Sequence, residues 1–234
     1  LVNPLSFPEL MITAHVDTVP PVINGTPCRH EIVGERFYGR GAADVKGGIA
    51  SLLAALNEIT IRSSEGTENI PPVMIAFNID EERSGCGSEK LARLGGRYAV
   101  VIEPTEMKLC TAQCGSVVLH LQVFGRPSHG GEIEAGDNAI VKALSFLQQL
   151  NTLPIFNSRH PTAGRCGYNL QMINGGSNEL AVPHKCELIL DFRVLPGQHV
   201  ADVQAAVEKL LNSWGGIEGS WVDISASYEL DEQE

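Results

Sequence analysis

Basic residues are scarce in this chain and nowhere clustered. Its 17 Lys and Arg face 28 Asp and Glu, a formal net charge of −11 with a pI near 5.1. Phosphate-backbone binding needs a basic face, so no nucleic-acid partner is expected. No apolar run reaches the roughly 18 residues of a transmembrane helix, so no membrane partner is expected either. Leu1 to Pro8 lack the basic n-region of a signal peptide, and there is no initiator Met. The expectation is a chain that starts inside a larger one. The six cysteines form no CxxC pair and no dense framework, which fits reduced thiols and a cytoplasmic location.

What is present is apolar patterning in 234 residues that are 43% hydrophobic, enough for one large or two modest domains. Glu9 to Ala14 is a short apolar run. Ile49, Leu52, Leu53, Leu56 and Ile59 recur at helical spacing, so a helix is expected just after Asp44. Val73 to Ile79 and Tyr98 to Ile102 read as strands buried on both faces, with a short helix over Ser88 to Leu94 between them. Alternating strands and helices imply an α/β fold with a largely parallel sheet.

The pattern changes near Thr111. Ser116 to Phe124 alternates apolar and polar residues, and Asp137 to Leu150 is an amphipathic helix. Strands over Tyr168 to Ile173 and Lys185 to Val194, a helix over Val200 to Leu211 and a strand over Trp221 to Tyr228 follow. That β-α-β-β-α-β order is ferredoxin-like. The expected division is a metal-binding part over 1–111, an α+β unit over 112–225 and a return segment over 226–234.

Four short motifs carry the chemistry, and each follows an apolar run. His15-x-Asp17 puts an imidazole and a carboxylate on one face of extended chain. It could also be the turn that closes a strand. Asp44 lies in Gly39-Arg40-Gly41-Ala42-Ala43-Asp44-Val45-Lys46-Gly47-Gly48, whose glycines permit close backbone approach. Its alternative role is a helix N-cap. Asp80-Glu81-Glu82 would be costly to bury without cations, and would otherwise be an exposed acidic turn. Glu103 ends the last strand ahead of Pro104. Strand carboxyl ends in α/β sheets are where sites are built, so the four together suggest a divalent-metal hydrolase site.

These motifs resemble the signatures of the dinuclear-zinc amidohydrolases and metallopeptidases, among them acetylornithine deacetylase, succinyl-diaminopimelate desuccinylase, aminoacylases and glutamate carboxypeptidases. The resemblance continues through Gly125-Arg126-Pro127-Ser128-His129-Gly130, Asn138-Ala139-Ile140, Gly175-Gly176-Ser177-Asn178, Val182-Pro183 and Arg193-Val194-Leu195-Pro196-Gly197. It implies a zinc-hydrolase core, incomplete here, plus a ferredoxin-like lid that dimerises. By resemblance His15 and Glu103 bind one zinc, Glu82 the other, and Asp44 bridges them, with Co²⁺ or Mn²⁺ as substitutes. Asp17 orients His15, Glu81 is the general base, and His129 of the lid stabilises the oxyanion in a partner subunit's site. Asn178 and Arg193 contact substrate carboxylates.

The implied reaction is hydrolysis of the amide of an N-acyl amino acid or short peptide, acetylornithine deacetylase-like and thus part of arginine biosynthesis. The alternatives are a desuccinylase, a dipeptidase or carboxypeptidase, or a non-catalytic dimerising fragment. Two departures from the family pattern stand out. Cys114 occupies a position that is usually basic, and the His that closes the second zinc site has no counterpart before Glu234. Cys110 and Cys114 are expected to be packing thiols.

Overall fold

The computed structural model describes residues 8–20, 30–64, 72–225 and 228–229. The chain divides into two compact units, Leu1–Leu109 and Cys110–Glu234. The expectations for residues 1–7, for Cys28 and for most of 226–234 lie outside the described residues.

In the first unit, β1 (Leu10–His15) is followed by a hairpin of β2 (Glu31–Val33) and β3 (Arg36–Tyr38), then by α1 (Gly47–Ser64), β4 (Val73–Asn78), α2 (Cys86–Ala92) and β5 (Tyr98–Val101). β1 is the centre of a parallel sheet of order β4-β1-β5, with Ile12 opposite both Ile75 and Val100. Parallel neighbours need long crossovers, and here α1 and α2 supply them. The pairing continues past the strands: Val16 N–H donates to Asn78 O at 3.0 Å and Ile102 N–H to Thr13 O at 2.9 Å. The segments beginning at Val16, Ile79 and Glu103 therefore leave the sheet along one edge.

Two sequence expectations change here. The helix starts at Gly47, after a π-helical turn over Ala42–Lys46 whose Asp44 (φ −116°, ψ 92°) and Val45 are non-helical. Asp44 is thus no helix N-cap; the Asp44–Val45 peptide is cis. Nor are β4 and β5 buried on both faces: Phe77 is 46%, Ile79 60% and Val101 62% exposed. An apolar run shows what favours burial, but a strand is buried on both sides only where a layer packs on each. α1 itself buries only Leu52, leaving Leu53, Ile59 and Ile61 exposed.

The second unit begins with β6 (Ala112–Gln113) and β7 (Gly115–Phe124), then α3 (Ala139–Leu150) and a small hairpin of β8 (Arg159–His160) and β9 (Gly164–Arg165). β10 (Gly167–Gly175), β11 (Lys185–Val194), α4 (Val200–Leu211) and β12 (Ile217–Ser225) complete it, and β13 (Tyr228–Glu229) pairs with β6. The main sheet is antiparallel, of order β10-β11-β7-β12. With two helices inserted between the strands, this is the expected ferredoxin-like arrangement. Alternate residues Val117, Leu119, Leu121 and Val123 of β7 and Leu188, Leu190 and Phe192 of β11 are buried in one core with Ala143, Phe146 and Leu150 of α3 and Val203 and Val207 of α4. Asn138 caps α3, its Oδ1 accepting from Ile140 N–H at 3.0 Å and Val141 N–H at 3.2 Å. The expectation for Cys110 fails, because its thiol is exposed; Cys114 is half-buried.

Candidate metal centre

His15 closes β1 and is 2% exposed. Its Nδ1 lies 3.1 Å from the Asp17 carbonyl oxygen, and its Nε2 lies 2.8 Å from Asp44 Oδ1 and 4.0 Å from Glu103 Oε1. If Nδ1–H donates to that carbonyl, a proton or a cation must occupy the space between Nε2 and the carboxylates. Burial alone would lower the pKa of His15. The Asp44 hydrogen bond and the charges of Glu103, Glu81 and Asp44 outweigh it and hold the imidazole above its usual value.

Asp44 reaches this point from the π turn. Gly41, at φ 73°, has no room for a side chain: a Cβ there would sit 2.7 Å from Thr18 Cγ2 and 2.9 Å from Lys46 Nζ. Lys46 Nζ donates to Val16 O at 3.1 Å, tying the turn to the segment that carries His15 and Asp17.

Asp17 faces two ways. Its carboxylate accepts from Glu81 N–H at 3.4 Å and Glu82 N–H at 3.2 Å, and it is 3.6 Å from His15 Nδ1, further than its own carbonyl oxygen. Despite some desolvation, those two amide hydrogen bonds hold its pKa below the ordinary value. Asp17 thus anchors the acidic turn, while its backbone orients the imidazole.

The acidic turn follows β4. Asp80 adopts φ 64°, and its carboxylate accepts from the Ser84 hydroxyl. Buried Asn78 braces the strand end, its Nδ2 donating to Ser88 Oγ at 2.7 Å. Glu82 Oε1 accepts from Val19 N–H at 3.3 Å. Glu81 and Glu103 are both held above the usual carboxylate range, by desolvation first and then by neighbouring carboxylates. A cation among them would relieve that repulsion.

Potential ligand atoms of His15, Asp44 and Glu82 lie within 4.8 Å of one another. One imidazole nitrogen with several carboxylate oxygens is a donor set that suits zinc and similar divalent ions. The residues present fit such a metal.

The remaining candidates belong to the second unit, where they fall into two places. His129 is exposed, its Nδ1 accepting from Gly131 N–H at 3.1 Å, and it bridges to Ala181; Gly130 N–H donates to Leu180 O at 2.9 Å. His129 and the Asn178 turn are therefore neighbours near the start of β11. Arg193 lies near the other end of β11, opposite Ser116 and Gly167. Lys185 and Arg193 are eight residues apart, roughly 27 Å of strand. Within one chain Asn178 and Arg193 do not share a contact point. Sequence reasoning passed over Asn78 and Lys46; the signal for Asn78 was a single amide closing an apolar run.

Residues 4–112 match the model of Peptidase family M28, and residues 111–215 match the Peptidase dimerisation domain. An acetylornithine deacetylase of Myxococcus xanthus is 30% identical over 213 residues, covering 86% of this chain and 53% of that protein. Both units of the chain are thus similar to metal-dependent peptidases and deacylases. A protein of Aspergillus clavatus named a probable carboxypeptidase is 29% identical over 210 residues, covering 82% of this chain and 49% of its own length. The fold is shared with an M20 family metallo-carboxypeptidase from Sulfolobus solfataricus, with TM-score 0.73 at 16% identity over 96% of this chain and 66% of that one. The chain spans about half the length of the curated relatives it matches.

Proposed function

We propose that this chain carries the zinc site and the lid of a hydrolase that cleaves the amide bond of an N-acyl amino acid, acetylornithine deacetylase-like. Desuccinylase, dipeptidase and carboxypeptidase activities are alternatives on the same metal site, which differ in pocket residues and not in chemistry. The observation that carries the reading is the convergence of His15, Asp44, Glu82 and Glu103 at one sheet edge with Glu81 beside them.

In this reading His15 and Glu103 would hold one metal and Glu82 a second, with Asp44 serving both. Bound there, the metal supplies a Lewis acid and makes water a better nucleophile near neutral pH. Glu81 takes the proton from the attacking water and returns it to the departing amine; its raised pKa suits both transfers. His129 supplies a donor to the developing oxyanion in the site of the other chain of a homodimer, and Asn178 and Arg193, at opposite ends of β11, contact substrate carboxylates from different chains. The proposal extends to a homodimer formed through the second unit and to a cytoplasmic location. Its domain terms are a catalytic part over 1–111, a lid over 112–225 and a return segment over 226–234.

The test is metal content and turnover measured together. Two zinc ions per chain with release of acetate from acetylornithine support the reading. One ion or none, with no hydrolysis after adding Zn²⁺ or Co²⁺, sinks the claim that this chain is itself an enzyme.

A further inference from the structure

Lys46 is the one cation in the π turn Ala42–Lys46 and takes no part in the chemistry assigned above. The residue is exposed, yet its ammonium is engaged: Nζ donates to Val16 O at 3.1 Å. Among the described residues Lys46 forms no ion pair. Its partner is a backbone carbonyl, so what it contributes is a position and not the neutralisation of a carboxylate.

That carbonyl belongs to the peptide joining Val16 to Asp17. The peptide before it is held by β4, where Val16 N–H donates to Asn78 O at 3.0 Å. Each peptide is planar, so one bond on each side of Val16 fixes the course of the chain from His15 to Asp17. The Asp17 carbonyl oxygen then lies 3.1 Å from His15 Nδ1 and orients the imidazole. Without Lys46, only the first of those two peptides would be tied to a neighbouring segment.

The other end of the Lys46 side chain is rooted in the turn that carries Asp44. Lys46 N–H donates to Gly41 O at 2.9 Å and closes that turn, and Val45 beside it is 1% exposed. Asp44 and Val45 have non-helical torsions, so no helical ladder dictates where the Asp44 carboxylate goes. The turn is instead pinned from two sides. A Cβ on Gly48 would collide with Ile102 Cγ2, so this glycine lets the turn and α1 sit against the residue before Glu103. On the side of His15, the pin is the Lys46 side chain.

We infer that Lys46 is a positioning residue of the metal centre: by holding the Val16–Asp17 peptide it sets the approach of Asp44 to His15 Nε2. The inference rests on the metal reading above and adds to it a residue that donates nothing to the metal. Substitution of an exposed side chain changes global stability little, so the effect should be local.

The test is zinc affinity of the full chain by chelator competition, beside the imidazole ¹⁵N resonances of His15 in zinc-stripped protein. Lys46→Met keeps the length of the stem and removes the donor. It should weaken zinc binding about tenfold or more and shift the ring-nitrogen resonances of His15. Lys46→Arg, which can donate to the same carbonyl, should restore most of the affinity and the parent resonances. Ser51→Ala removes a hydroxyl bond to Gly47 O inside α1 and should leave both readouts unchanged. Melting curves identify a variant that fails to fold. Lys46→Gln, whose amide ends short of Val16 O, then replaces Lys46→Met with the same expectation. Unchanged zinc affinity or unchanged His15 resonances in the variant lacking the donor overturns the inference, as does an equal loss in Lys46→Arg. A parent chain that binds no zinc sinks the metal reading, and the His15 resonances then decide the positioning role by themselves.

Discussion

His15 Nε2 stands 2.8 Å from Asp44 Oδ1, although the two residues are 29 positions apart and come from a strand end and a π turn. A contact this close needs a proton or a cation between the two atoms, and with Glu103 4.0 Å away the donor set suits a divalent ion. His15→Ala and Asp44→Asn should each weaken zinc binding by about tenfold or more, measured by competition with a chromophoric chelator. Glu58→Gln, in an exposed pair with Arg62 on α1, should leave it unchanged. Equal loss in all three variants would show that the effect is one of general stability.

The same cluster sets how stability depends on pH. His15 has a raised pKa, so its protonated form is favoured. Its contribution is complete below the unfolded value near 6.5 and is lost as pH rises through the higher folded value. Glu81 and Glu103, raised above 4.5, act in the same sense, since ionising them costs more in the folded chain. Asp17, with a lowered pKa, contributes above its unfolded value and is lost only as pH falls through its folded one. Zinc-stripped protein should therefore melt at progressively lower temperature from about pH 5 to about pH 8. Added zinc should reverse that trend and release protons, read by calorimetry in buffers of different ionisation enthalpy. A melting temperature that climbs over this window in the stripped protein would refute the assignment.

Glu81 and Glu82 are adjacent, yet Glu82 is the one clustered with His15 and Asp44. Glu81→Ala should keep its zinc and lose hydrolysis by a factor of at least ~10². Loss of metal instead would make Glu81 a ligand. His129→Ala should lower kcat with metal retained, and an unchanged kcat would remove His129 from the mechanism.

The strand-end motifs could be read in the sequence because a parallel sheet converts strand order into a shared edge: His15, Asp17, Glu81, Glu82 and Glu103 were legible for that reason. Asp44 was harder. Its approach to His15 depends on a non-helical turn that helical spacing alone presents as a helix start. The ferredoxin-like unit was legible in outline because its strands alternate and one face is buried. Apolar composition misled for Phe77, Ile79 and Val101, since it reports a preference for burial and not the presence of a covering layer. Spacing shows that Asp17 can face the imidazole, but not that its carboxylate also accepts from the amides of Glu81 and Glu82, 64 and 65 residues away.

The acidic turn is braced from behind by α2, and that brace can be tested apart from the ligands. A Cβ on Gly87 would lie 2.3 Å from Ile79 O and 2.8 Å from Ile79 N, both backbone atoms that can yield only by moving the strand end. Gly87→Ala should cost about 1–3 kcal/mol of stability by overpacking. It should also weaken zinc binding, because the displaced segment leads directly into Asp80, Glu81 and Glu82. Ser88→Ala removes the acceptor for Asn78 Nδ2 and leaves a buried amide donor without its partner, at a similar cost of about 1–3 kcal/mol. Its backbone is not pushed, so zinc affinity should change less than in Gly87→Ala for the same loss of stability. Chemical denaturation and chelator competition on the two variants give both quantities. If zinc affinity simply follows stability in both, the strand end does not position the acidic turn.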